Sequence, residues 1–182
     1  MIGIVGVMKD ITDIIQTQEH IKTLAYTDFL TSLKNRRSLY HYLENDLANK
    51  NIPLTVLFID LDNFKKLNDS FGHHVGDKAL VHIAEKLANI CDDAFVARVG
   101  GDEFVVIWEQ ISDEILTQKL DLLLNEMRTE FSRGEYANIV SVSIGVVRNE
   151  CSSGDVETIL LKGDLAVYKA KEKGKNQYVI YT

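Results

Sequence analysis

The hydrophobic positions of this chain repeat with two different periods, and their alternation predicts a fold of interleaved strands and helices. Residues 54–59 are continuously apolar and are followed by Asp60, a pattern typical of a strand buried on both faces. Residues 139–147 alternate apolar side chains with serine and glycine, which indicates another strand. Apolar residues at helical spacing predict helices over 75–90 and 112–131. This order favours an α/β fold, an α+β sandwich whose central mixed β-sheet is flanked by helices.

Three further elements complete this prediction. A helix is expected from residue 36 to about residue 48, and Pro53 lies just beyond its end. A last helix is expected over 155–173 and is ended by Gly174, and residues 177–181 predict a closing edge strand. The positions expected to point inward from the helix over 112–131 are Ile115, Leu116, Leu120, Leu123 and Leu124.

A tight β-hairpin is predicted in the middle of the chain. Residues 94–99 and 104–108 are two mostly apolar strands, joined by the four-residue turn Gly-Gly-Asp-Glu at 100–103. Its glycines can adopt positive φ and let a ligand approach the backbone. Asp102 and Glu103 add two carboxylates beside exposed amides, which suits a divalent metal carrying a phosphate. An ordinary glycine turn with solvated acids is the alternative interpretation.

The N-terminal residues predict a segment that stands outside this sheet. Residues 2–8 form a strand-like apolar run with no nearby strand to pair with. The positions spaced by three and four that follow are Ile11, Ile14, Gln18, Ile21 and Ala25. This seam of about two heptads is too short to hold a coiled coil by itself. The pattern resembles the last strand of a PAS sensor domain and its exit linker helix; a plain N-terminal helix packed on its own domain is the alternative. We therefore expect residues 1–26 to be this linker and 27–182 to be one domain.

Composition narrows the possible partners. The chain has 182 residues, 46% of them hydrophobic, which is enough for one core. Its net charge of −7 argues against nucleic acid, because a run of backbone phosphates could not be neutralised. The two cysteines are far apart and favour a reduced, cytoplasmic setting. The apolar start is only eight residues long, so we expect no membrane segment in this chain.

Four stretches, taken in order, resemble the signatures of the GGDEF family, the diguanylate cyclases. They are the D-F-L-T-S-L-K-N-R-R stretch at 28–37, D-L-D-N-F-K-K-L-N-D at 60–69, G-G-D-E-F at 100–104 and D-L-A-V-Y-K-A-K at 164–171. The resemblance extends from residue 28 to about residue 181. It implies a sheet like that of nucleotidyl cyclases and polymerase palm domains.

The resemblance implies an activity as well as a fold. Members of the family condense two GTP molecules into cyclic di-GMP and release two pyrophosphates, acting as homodimers with Mg²⁺, for which Mn²⁺ is an alternative. A non-catalytic relay that binds GTP or another effector on the same fold is a competing hypothesis. A fragment that only dimerises a sensor through its helix is another.

The resemblance also assigns individual residues to roles. Metal ligands are expected at Asp60, at the carbonyl of Leu61, and at Asp102 and Glu103. Catalytic roles are expected for Asp102, Glu103 and Lys65. Substrate contacts are expected from Asn68, His73, Asp77, Gly100, Gly101, Lys171 and Lys175. Asn68 and Asp77 would read the base, because a carboxylate that accepts from N1–H and the exocyclic amine selects guanine over adenine.

Three positions depart from the family pattern. Ser32 replaces a glycine, which we expect a turn to tolerate. Lys175 stands where arginine is common, so charge is kept but two-pronged phosphate contact is lost. Cys91 and Ala94 replace the arginine and aspartate of the product-inhibition motif, which predicts weak product inhibition.

Overall fold

Five strands form one mixed sheet within the residues that the structure, a computed structural model, describes: 23–47, 52–131, 139–149 and 156–182, with the single positions 12, 17, 21 and 50. The strands are β1 Leu54–Asp62, β2 Phe95–Gly100, β3 Glu103–Glu109, β4 Ser141–Asn149 and β5 Tyr178–Ile180. Their order is β2-β3-β1-β4-β5; only the β4–β5 pair is parallel. The predicted mixed sheet and its closing edge strand are confirmed.

Helices cover both faces of this sheet. They are α1 Arg36–His41, α2 Phe64–Phe71, α3 His73–Ile90, α4 Asp113–Glu130 and α5 Val156–Glu172. One buried cluster joins α2, α3 and α4 to the sheet, and a second joins α1 and α5 to its other face. The fully covered β1 lies at the centre, as its continuous apolar run predicted.

Two glycines let α5 approach the sheet closely. A side chain at Gly163 would collide with the ring of Phe58 on β1, and one at Gly145 on β4 would meet the backbone of α5 at 2.7 Å from Gly163 O. The close packing fixes α5 over the end of β1. It therefore sets the position of the acidic and basic side chains that α5 carries.

Some predicted boundaries were wrong. The hairpin turn contains only residues 101–102, because Gly100 and Glu103 are already paired strand residues. Of the two glycines, only Gly101 has positive φ (+43°). The helix expected over 36–48 is α-helical only to His41 and continues as a π-helix over Tyr42–Leu47.

One predicted core position was also wrong. Ile115 is 47% exposed, whereas Leu116 beside it and Met127 are buried. The helix packs through a narrower stripe than its apolar residues suggest, since its buried positions are Leu116, Leu120, Leu123, Leu124 and Met127.

The N-terminal segment is described only in part. Residues 23–26 are helical, as are positions 12, 17 and 21. The proposed sensor strand at 2–8 and most of the heptad seam lie outside the described residues. In the described ranges, no helix is long and apolar enough to cross a membrane.

Candidate active site

Strand pairing brings the predicted acids together. Strands β1 and β3 are antiparallel neighbours, and Asp60 is the direct cross-strand partner of Glu103. The Leu61 amide donates to the Asp102 carbonyl at 3.2 Å, which closes the hairpin tip onto β1. The expectation that Asp60 meets the two hairpin acids if the strands are neighbours is met, although the hairpin acids lie 42 and 43 positions after Asp60 in the sequence.

The site concentrates negative charge. Partial burial raises the pKa of Asp60, and the Asp102 carboxylate raises it further, while Lys171 opposes the shift. Burial likewise raises the pKa of Glu103, followed by the charges of Asp60, Asp102 and Asp164. Carboxylates that repel one another in this way are characteristic of functional sites.

Lys171 supplies the nearest positive charge. Its ammonium Nζ lies 2.6 Å from Asp60 Oδ1. Among the described residues, this buried oxygen nevertheless has no donor in hydrogen-bonding geometry. We therefore regard the contact as an ion pair with poor alignment, which leaves an acceptor that a ligand or metal could use.

The carboxylates of this cluster determine which kind of metal ion the site could hold. No group of three or more His, Cys, Asp and Glu side chains in the described ranges is arranged to enclose a metal ion. Two clustered carboxylates with an unsatisfied oxygen instead suit a hard cation that completes its shell with water and substrate phosphates, as Mg²⁺ does. The residues thus fit a metal shared with a phosphorylated substrate. Leu61, the predicted carbonyl ligand, is a buried strand residue beside Asp60.

A cleft of about 350 Å³ opens beside these acids, between α1 and α5. We call it the α1–α5 cleft. Its floor includes the apolar side chains of Phe58 and Val105, and its polar lining consists of Arg36, Tyr40, Asp60, Glu103, Asp164, Tyr168 and Lys171. Neither member of the predicted base-reading pair lines it.

The predicted base-reading pair lies at the α2–α3 corner. Asn68 is on α2 and Asp77 is on the first turns of α3, with an exposed side chain. The Asn68 Oδ1 atom is buried and has no hydrogen-bond partner among the described residues. It sits so close to Gly76 that a Cβ there would collide with it. Gly76 is a position that the sequence alone did not single out.

The hairpin tip is held by an arginine that precedes it. Arg98 donates through Nη2 and Nε to the Gly101 carbonyl, at 2.7 and 3.1 Å. Its Nη1 donates to Asp28 Oδ1 at 3.0 Å. Asp28 also accepts from the amide and hydroxyl of Thr31. The N-terminal motif and the hairpin are therefore one hydrogen-bonded unit.

The second aspartate of β1 has a structural environment. Asp62 is 1% exposed and accepts from Ser141 Oγ at 2.6 Å and Ser143 Oγ at 2.8 Å. It also accepts from the Asn176 amide at 3.2 Å. These bonds fasten β1 to β4 and to the turn before β5.

The other predicted site residues differ in how far their side chains are already engaged in contacts. Lys65 on α2 and His73 at the start of α3 are exposed. Gly100 is extended at the end of β2, and Gly101 has open space around its Cα. Lys175 donates to Asn63 Oδ1 at 2.8 Å. In this structure Lys175 therefore braces the chain beside the site rather than pointing freely into it.

Two charged residues of the α1–α5 cleft were missed as site residues. Arg36 and Asp164 both belong to stretches that carried the family resemblance, yet no role was assigned to them. Their only sequence signal was membership of those stretches. They face Glu103 because α1 and α5 cover the same face of the sheet. This proximity arises only in the tertiary structure.

The departures from the family pattern also have structural settings. Ser32 has a φ of +60°, in the left-handed region that favours glycine. Cys91 is fully buried, and burial raises the pKa of its thiol to about 12. A buried thiol at this position offers no charge or surface contact to a product.

Comparison with known proteins gives this geometry a family. The family model described as "Diguanylate cyclase, GGDEF domain" matches residues 25–177. A diguanylate cyclase of Vibrio cholerae is 36% identical, over 100% of this chain and 57% of its own length. The cyclic di-GMP phosphodiesterase PdeR of Escherichia coli is 33% identical, over 95% of this chain and 26% of its own length. This chain thus spans little more than half of one relative and about a quarter of the other.

The fold has a counterpart among solved structures. The coiled coil and GGDEF domain of DgcB from Caulobacter crescentus, solved in complex with c-di-GMP, superposes with a TM-score of 0.85. It is 24% identical, and the match covers 93% of each chain. At this identity the likeness speaks for the shared fold alone.

Proposed function

Because this chain belongs to the GGDEF family of diguanylate cyclases, we propose that it condenses two GTP molecules into cyclic di-GMP, with release of two pyrophosphates. The observation that carries the proposal is the convergence of Asp60, Asp102 and Glu103 at the paired ends of β1 and β3. No acid of the family's two acidic motifs is missing from this chain.

The chain's own groups divide the chemistry between them. Asn68 and Asp77 bind the guanine edge, so that adenine would leave a carboxylate without its donors. Asp102 accepts the proton of the attacking 3′-hydroxyl as a general base. Lys171 and Lys65 neutralise phosphate charge, and Asp60, Asp102, Glu103 and the Leu61 carbonyl would hold the metal. When bound, Mg²⁺ supplies Lewis acidity at the phosphates.

The product requires a second copy of the chain. One guanine corner and one acid cluster serve a single GTP, whereas each bond joins the 3′-oxygen of one GTP to the α-phosphorus of the other. We infer that two copies face each other across a two-fold axis. Specific activity should then rise with protein concentration, because the competent dimer must form first. Activity that stays flat on dilution, in a chain shown by sedimentation to be monomeric, would exclude this arrangement.

The decisive test is incubation with GTP and Mg²⁺, with the products resolved by chromatography. We expect cyclic di-GMP and pyrophosphate, and no product from ATP. Asp102→Ala should lower the rate by at least a hundredfold, on the scale of a lost general base. Unchanged turnover in a folded Asp102→Ala variant would contradict the assignment.

A second candidate is a relay that binds GTP without turning it over. The observation that favours it is the similarity to PdeR, which is named a phosphodiesterase rather than a cyclase and is matched by this chain over 26% of its length. The same experiment separates the two candidates. GTP that binds tightly and is recovered unchanged, at protein concentrations high enough for dimers, would support the relay.

A further inference from the structure

The α1–α5 cleft contains a cation that the proposed chemistry does not yet use. Of the basic residues that line it, Lys171 is paired with Asp60, whereas Arg36 forms no ion pair with any described residue. The Arg36 guanidinium is exposed and lies beside a carboxylate cluster, yet it has no ion-pair partner among the described residues. It is therefore available to an anionic ligand.

Other basic residues near the acids are already engaged. The Arg98 guanidinium donates hydrogen bonds to the Gly101 carbonyl and to Asp28. Lys175 donates to Asn63 Oδ1. Position 175, where the family commonly has arginine, therefore has no guanidinium, and the ammonium of Lys175 is already hydrogen-bonded to Asn63. A phosphate group that needs two-pronged contact must find its guanidinium elsewhere, and Arg36 is the residue in the cleft that can provide one.

Local packing holds Arg36 toward the acids. Its guanidinium carbon lies 5.8 Å from the centroid of the Tyr40 ring, and both residues line the cleft. Tyr40, and beyond it the Glu103 carboxylate, raise the pKa of the Arg36 guanidinium. The Arg36 side chain thus interacts with the charge of Glu103 but forms no ion pair with it, so its guanidinium can still bind a phosphate group.

We propose that Arg36 binds the terminal phosphates of the nucleotide in the α1–α5 cleft and holds the pyrophosphate after transfer. This inference rests on the proposed function. In the reaction, the 3′-oxygen forms a bond to the α-phosphorus while the bond from that phosphorus to the bridging oxygen breaks. The pyrophosphate leaves with that electron pair, so negative charge grows on the side of the leaving group. A guanidinium there would stabilise it through two parallel N–H···O bonds.

Binding of inorganic pyrophosphate with Mg²⁺ to the whole chain, measured by calorimetry, tests this proposal without requiring turnover. The variants are Arg36→Ala, Arg36→Lys and the matched control Arg37→Ala. Arg37 is the next residue of α1, but its guanidinium carbon lies 5.2 Å from the Tyr26 ring centroid and does not line the cleft. We expect Arg36→Ala to weaken binding about tenfold and Arg36→Lys about threefold, since an ammonium keeps the charge but loses the fork. Arg37→Ala should stay within about twofold.

Two results would overturn the proposal. One is wild-type protein that does not bind magnesium pyrophosphate, and the other is an equal loss in Arg36→Ala and Arg37→Ala, which would indicate general charge attraction. The outcome is separable from the cyclase assignment. Arg36-dependent pyrophosphate binding in a chain that never turns over GTP would leave this inference standing and remove the cyclase. GTP turnover with unchanged pyrophosphate binding in Arg36→Ala would do the reverse.

Discussion

Two aspartates on one face of β1 have opposite environments. Asp62 is fully buried and accepts three hydrogen bonds, two from serine hydroxyls and one from a backbone amide. Asp60, two residues earlier, faces a single ammonium and two further acids, and one of its oxygens lacks an aligned donor. The protein supplies all the hydrogen-bond donors that Asp62 accepts from, whereas Asp60 keeps an oxygen that a ligand or a metal ion could use.

The difference shows how stability and function are divided along one strand. A buried carboxylate whose partners are all supplied fastens neighbouring segments together. A carboxylate held near like charges costs folding free energy, and such groups are retained where they act on a ligand. If this division holds, substitutions at the two kinds of carboxylate should separate loss of activity from loss of stability.

Asp60→Asn should abolish function and spare the fold. Removing the charge that is proposed to hold the metal should lower cyclic di-GMP synthesis about a thousandfold, within the range expected for a lost catalytic charge. The thermal midpoint should change little, because the lost ion pair with Lys171 is offset by relief of repulsion. Initial rates and melting curves measure the two effects. A variant that melts much earlier would mean that Asp60 is structural after all.

Asp62→Ala should do the opposite. It removes three hydrogen bonds from a charged acceptor and leaves the buried Ser143 hydroxyl unpaired, so we expect a loss of about 2 to 3 kcal/mol in unfolding free energy. Urea denaturation measures it, and Ser141→Ala, which removes one donor, is the matched control with a smaller loss. Equal losses in the two variants would show that the carboxylate itself contributes little.

Gly76→Ala asks whether a second unsatisfied atom also marks function. Like Asp60 Oδ1, Asn68 Oδ1 is buried without a hydrogen-bond partner among the described residues. The new methyl would collide with it and displace the carboxamide. We expect KM for GTP to rise about tenfold, a cost of about 1.4 kcal/mol. The helix already contains an alanine, Ala79, about one turn later, so an alanine side chain is compatible with it. An unchanged KM would therefore show that Asn68 does not take part in base recognition.

Glu103→Gln should stabilise the protein slightly while it inactivates the enzyme. The pKa of Glu103 is raised in the folded state, chiefly by burial and then by Asp60. Folding therefore favours the protonated form, and stability rises as pH falls through the folded pKa. Glutamine should give a gain below about 1 kcal/mol at neutral pH, since solvent screens the charge, and the gain should vanish in acid. A destabilised variant at pH 7 would contradict the repulsion.

The sequence predicted the frame of this protein well. The continuous apolar run gave β1 its central position, and the hairpin and its acids were placed to within two residues. The sequence-based prediction was wrong where the burial of a side chain depends on which elements pack beside it. Ile115 was expected inside and is exposed, because helical spacing cannot tell which part of an amphipathic stripe reaches the sheet.

The family, the mixed sheet and the identity of the candidate acids could be predicted from the amino-acid sequence, because they follow from local periodicity and short motifs. Periodicity gives Asp60 and Asp62 equivalent positions on one strand face, and it was the family resemblance that singled out Asp60 as a metal ligand. The tertiary structure supplies the physical difference between them: Ser141, Ser143 and Asn176 come from about 80 to 115 residues away and satisfy the carboxylate of Asp62 but not that of Asp60. The same is true of Arg36, whose role in the cleft depends on α1 and α5 covering one face of the sheet. The residue types determine which chemical groups are present, but packing between distant segments decides which of their polar atoms are left without hydrogen-bond partners.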